Sequence, residues 1–127
     1  MQDRHLFEYA VLRLVPRVER EEFLNIGVVL FCPGKDFLEC RFDVNKEKIS
    51  AFYDDLDLQD LEDRLNAFEK VCRGNVDSGP IGQLNAASRF RWLSAYRSTI
   101  LQTSRIHPGL CKDPDETLGK LFDQLVK

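Results

Sequence analysis

Long apolar runs are missing from this 127-residue sequence. No stretch approaches the roughly 20 residues that span a bilayer, so no membrane-crossing helix is expected. The opening residues Met1-Gln2-Asp3-Arg4-His5 lack the charged, apolar and small segments of a secretory leader, and a cytoplasmic location is expected. A surplus of positive charge is missing too. The 18 Lys and Arg against 21 Asp and Glu give a net charge of −3, without the overall basic field that drives non-specific nucleic-acid binding. Close cysteine pairs are absent. Cys32, Cys40, Cys72 and Cys111 are separated by 7, 31 and 38 residues, whereas zinc sites and redox motifs use C-x2-C spacing. No metal is expected, and each cysteine, in an apolar context, reads as a small buried hydrophobe in a reducing compartment. The Walker loop, the dinucleotide-binding glycine pattern, the zincin motif and the nucleophile elbow are also lacking, so the reading leans away from an enzyme and no cofactor is expected.

What is present is enough for one domain, residues 1–127, with one hydrophobic core. Apolar residues at 43% and charged residues at 31% lie near the globular average, so the chain should fold alone.

The first third is rich in β-branched and aromatic residues, in three runs: Phe7 to Val15, Phe23 to Cys32 and Phe37 to Val44. Between the last two, Pro33-Gly34-Lys35-Asp36 places glycine where a two-residue type II′ turn needs positive φ. That turn pairs Phe31 with Leu38, Val29 with Cys40, Gly27 with Phe42 and Asn25 with Val44 on one face, the expected core face. Glu39, Arg41 and Asp43 take the other. Phe42 lying across Gly27 would cover the gap left by a strand glycine, which makes Gly27 structural.

Asn45 then opens a short helix, Lys46 to Tyr53, and Asp57 caps a longer one from Leu58 to about Arg73, ended by Gly74. In the longer helix Leu58, Leu61, Leu65, Phe68 and Cys72 form one apolar stripe that should dock on the sheet. Residues 75–83 read as loop. Ser88 caps a short helix carrying Phe90, Trp92 and Leu93, and Thr99 to Thr103 reads as a fourth strand broken by His107-Pro108-Gly109. Asp113, Pro114 and Glu116 open a C-terminal amphipathic helix. The fold class is α+β: a small antiparallel sheet of three N-terminal strands and one later strand, with helices packed against it.

Some polar residues are not explained by this packing. Asn25 sits in an apolar strand, where its amide needs partners; hydrogen bonds to backbone or to Arg13 across the hairpin are the favoured reading over a ligand contact. Arg89, Arg91, Arg97 and Arg105 concentrate charge in residues 89–107, which hold no acidic residue. They would bind an anion, or, by the favoured reading, pair with the acidic helix between Asp57 and Glu69. His107 is a turn histidine without an identified catalytic partner. The candidate anion or ligand site is therefore Arg13, Asn25, Arg97, Ser98 and His107.

The blocks Glu8 to Pro16 and Glu22 to Phe31, followed by Phe90-Arg91-Trp92-Leu93-Ser94-Ala95, Arg97-Ser98-Thr99, the His107-x-Gly109 turn, Asp113-Pro114 and the Leu118 to Val126 helix, together resemble the DUF3037 family. One position departs, Tyr96 standing where relatives often carry proline. The resemblance implies a bacterial source and, by the analogy of gene neighbourhood, a protein partner such as a HipA-like kinase. The leading functional expectation is a small non-enzymatic accessory module that binds such a partner. The alternative is a ligand-binding protein or enzyme with a nucleotide or anion site around Arg97 and His107, and the weaker alternative is nucleic-acid binding through residues 89–107, with Trp92 and Phe90 as stacking surfaces.

Overall fold

A computed structural model describes residues 3–127. Strand β1 (His5–Leu14) is followed by β2 (Leu24–Cys32), β3 (Phe37–Phe42), helices α1 (Lys46–Phe52), α2 (Leu58–Arg73), α3 (Gly79–Gly82) and α4 (Ala86–Leu93), strands β4 (Leu101–Thr103) and β5 (His107–Cys111), and α5 (Pro114–Leu125). All strand pairs are antiparallel. The α+β class and the C-terminal helix are as the sequence indicates, but the sheet has five strands, in the order β3-β2-β1-β4, with β5 also on β1.

The fifth strand contains His107-Pro108-Gly109, the residues expected to break the sheet. Its register puts Pro108 opposite Glu8. On this side of β1 the ladder bonds fall at odd positions, as Val15 N–H donating to the Ile100 carbonyl at 2.7 Å shows. Pro108 therefore points its missing donor outward, where an edge strand tolerates proline. Gly109 lies under the ring of Phe7, where a Cβ would come within 2.5 Å of it.

β4 and β5 are one edge strand interrupted by a bulge. Leu12 faces Thr103 while Tyr9 faces His107, so one residue more is spent on the edge than on β1. Ser104 closes the break. Its N–H donates to the Val11 carbonyl at 2.9 Å, and its hydroxyl accepts from the Val11 N–H at 2.8 Å, standing in for the displaced ladder carbonyl. The same hydroxyl donates to the Arg105 carbonyl at 2.8 Å. This explains why a serine is buried in the core.

Both faces of the sheet are covered, not one. Ala10, Leu12, Leu14, Val29, Phe31 and Leu38 pack with α1, α2 and α4. Phe7, Val28, Leu30 and Cys32 pack with Cys111 and with Leu118 and Phe122 of α5. The β2–β3 register follows the expected pairs from Phe31–Leu38 to Gly27–Phe42, but the connection is a single 3₁₀ turn over Pro33–Lys35 closed by Asp36 at φ 50°, not a type II′ turn at Gly34.

Asn25 is on the face opposite to the one expected. The β1–β2 register slips between Leu12 and Arg13, leaving Ile26 as the extra residue, and the bulge turns Asn25 toward α5. Helix α2 keeps its Asp57 and Gly74 caps and buries Leu61, Leu65, Phe68 and Cys72. Asn85, not Ser88, caps α4, and residues 79–82 of the expected loop form one helical turn.

Two substitutions test this account. A Cβ at Gly27 would stand 2.7 Å from the Arg41 carbonyl and 2.8 Å from Phe42 Cβ, neither able to retreat without moving β3; Gly27→Ala should lower the unfolding free energy by about 1–3 kcal/mol. Ser104→Ala, which orphans the Val11 N–H, should cost about 1–3 kcal/mol, read as a lower urea midpoint at unchanged slope.

Candidate functional site

The five residues expected to form one anion site lie in separate places. Arg13 and Asn25 face each other across β1 and β2 on the α5 side of the sheet. The Asn25 amide donates to the Leu125 carbonyl at 3.1 Å, and Lys48 Nζ reaches the Val126 carbonyl at 2.8 Å, so both hold the C-terminal turn of α5. The Arg13 guanidinium lies 3.9 Å from the centre of the Phe23 ring. Arg13 Nε and Asn25 Oδ1, a donor and an acceptor, are buried without protein partners. His107 is exposed and stacks obliquely on Tyr9, its partner across the strands, with ring centres 5.2 Å apart. Ser98 is exposed.

Arg97 lies on the other side, beside α2 and α4. Its guanidinium rests 4.1 Å from the Trp92 ring centre. It donates to the carbonyls of Leu93 at 3.3 Å and Ala95 at 3.2 Å and to that of Trp92. Burial lowers its pKa from the ordinary arginine value. Arg89 acts alike on α2, donating to the Val71 carbonyl at 3.0 Å and to those of Cys72 and Leu84. These arginines satisfy the carbonyls that a helix leaves unpaired at its C-terminus and oppose the negative end of its dipole.

The expected pairing of the basic segment with α2 is thus replaced by backbone capping. The acidic side chains of α2 pair locally, Asp60 with Arg64 at 3.2 Å and Glu69 with Arg73 at 3.2 Å. Arg91 and Arg105 are exposed and have no carboxylate partner among the described residues. Phe90 is buried against Phe31, which removes it as a stacking surface and leaves Trp92.

Between α2 and the segment after α4 lies an open cleft of about 630 Å³. Phe68, Val71 and Leu101 supply its apolar lining, and Trp92 and Arg97 one wall. Asn66, Thr99 and the Lys70–Asp77 ion pair, 3.1 Å long, stand around it. Its volume suits a small ligand or the anchoring side chain of a partner.

A feature unmarked by sequence spacing is the division of the four cysteines between the two core clusters, two in each. Cys40 of β3 is partly buried against the cluster that holds Cys72 of α2; the neighbouring Cys40 thiol first, and burial second, push the Cys72 thiol far above its usual range. Cys32 and Cys111 belong to the cluster under α5, where burial, first, and Cys32, second, push the Cys111 thiol up. The described residues hold no cluster of three or more metal-ligating side chains.

If Arg97 serves as a cap, Arg97→Met should lower stability by about 1–2 kcal/mol, and phosphate or nucleotide should not shift the melting temperature of either protein. A phosphate-dependent rise in the parent that Arg97→Met abolishes would restore the anion-site reading.

No curated protein and no solved structure matches the chain. No helix among the described residues is long and apolar enough to cross a membrane. The model of one protein family of unknown function covers residues 9–126, nearly the whole length, and includes both strand blocks and the α4-to-α5 region described above; the chain belongs to the DUF3037 family.

Proposed function

We propose that the chain is a non-catalytic partner-binding module whose contact surface is α4 and the segment leading to β4. One observation carries this reading: Trp92 and Tyr96 stand 42% and 76% exposed on a stretch, residues 78–112, that contains no acidic residue. Exposed Trp and Tyr flanked by arginine are the side chains that dominate binding energy at protein interfaces. Arg91 and Arg105, with no local carboxylate to neutralise them, favour an acidic surface on the partner.

Trp92 also walls the apolar cleft over Phe68, Val71 and Leu101, which would receive an anchoring side chain. Arg97 holds Trp92 in place by stacking while its own donors are engaged by carbonyls. The rigid ring is therefore available to a partner at little entropic cost. The partner class we propose is the HipA-like kinase suggested by the family resemblance.

Co-expression of a HipA-like kinase from the same genome with the tagged chain should give one co-eluting species, retained less as salt rises. Trp92→Ala with Tyr96→Ala should weaken retention at least tenfold while the free chain still unfolds in one cooperative transition. Separate elution at every salt concentration would refute the reading, as would undiminished retention by the double variant.

A further inference from the structure

The two edges of the sheet are finished differently. On the β4–β5 side the edge is interrupted by the bulge at Ser104 and carries Pro108, which has no N–H to offer outward. Bulges and proline are devices that keep a sheet edge from pairing with another chain. The opposite edge, β3, has neither: Phe37–Phe42 contains no proline, and its register against β2 runs without a shift.

The hydrogen-bonding groups of that edge follow from the ladder. Asp43 N–H donates to the Ile26 carbonyl at 2.9 Å, so by antiparallel alternation Arg41, Glu39 and Phe37 also bond inward to β2. Leu38, Cys40 and Phe42 turn their N–H and C=O groups outward, and no strand, turn or side chain among the described residues takes them up.

The side chains alternate in the same way. Leu38, Cys40 and Phe42 pack on the α2 side, while Glu39 and Arg41 stand exposed on the α5 side. Glu39 forms no ion pair among the described residues, although Arg73 and Arg89 border the same groove as it does; Arg73 is paired with Glu69 at 3.2 Å, and Arg89 is bonded to the last carbonyls of α2. Arg41 stands 3.5 Å from Asp115 in a solvent-exposed pair. A guanidinium has donors for a second carboxylate beside the first.

We infer that β3 pairs with β3 of a second copy of this chain, antiparallel about a two-fold axis through Cys40, so that two sheets join into one. In that register Cys40 faces its own copy and Leu38 faces Phe42, each as a pair that exchanges both backbone bonds, which uses every outward group of the edge. Glu39 then faces Arg41 of the second copy, twice over, at the closer, non-hydrogen-bonded positions where side chains meet most directly. The neighbouring registers lack this match. An axis through Glu39 sets two carboxylates face to face, and one through Arg41 sets two guanidinium groups face to face, which like charges directly opposite disfavour. The charge order of the strand thus selects one isologous register. The surface proposed above for a kinase partner leads to β4, at the other end of the strand order, and does not use β3; either reading can fail without the other.

The test uses the whole chain in sedimentation equilibrium and amide hydrogen exchange. The parent should show a concentration-dependent mass rising to twice that of one chain, with the Leu38, Cys40 and Phe42 amides slowed at high concentration and fast on dilution. Arg41→Glu and Glu39→Arg should each weaken the dimer at least tenfold, and the two changes together, which restore opposite charges across the axis, should recover it. Cooperative unfolding of each variant separates lost pairing from lost folding, and the amide readout of the parent needs no variant. A monomer at millimolar concentration would overturn the inference. So would a dimer in which the single changes have no effect or the double change gives no recovery, and so would protection of the three amides by another protein's strand alone.

Discussion

Strand β1 is hydrogen-bonded on both sides and covered on both faces, and every other part of the molecule is registered against it. A strand in that position has no water to satisfy a lost backbone partner, so each irregularity in its neighbours must be repaired locally. Ser104 makes the repair on the β4–β5 side by lending its hydroxyl to Val11. On the β2 side the bulge at Ile26 sends Asn25 to the C-terminal turn of α5. Ser104 and the Asn25 amide nitrogen are thereby explained by backbone repair, while Arg13 Nε and Asn25 Oδ1 stay buried without protein partners.

The arginines of the acid-free segment divide by the same logic. Arg89 and Arg97 are spent on the carbonyl ends of α2 and α4, where a long, planar donor reaches several acceptors at once. Arg91 and Arg105 are left to solvent. Capping consumes hydrogen-bond donors but does not cancel charge, so the surface around Trp92 and Tyr96 remains positive even where its guanidinium groups are occupied. An aromatic anchor on such a surface suits recognition of an acidic protein better than binding of a compact phosphate, which needs the donors themselves.

Local chemistry in the sequence determined the helix caps at Asp57, Gly74 and Asp113, the apolar stripe of α2, the β2–β3 register and the tight place at Gly27, because each depends on residues within a few positions or across one short turn. The second covered face was missed because Glu39, Arg41 and Asp43 mark that side of β3 as polar, although Val28, Leu30 and Cys32 on the neighbouring strand are apolar. Only the tertiary structure decided that Asn25 changes face, that Pro108 enters an edge strand, that Ser104 is buried, and that Arg13 and Arg97 lie apart. The two bulges and the Arg89 cap on α2 are set by partners 17 to 100 residues away, and no local pattern of side chains encodes which backbone group will be left without one.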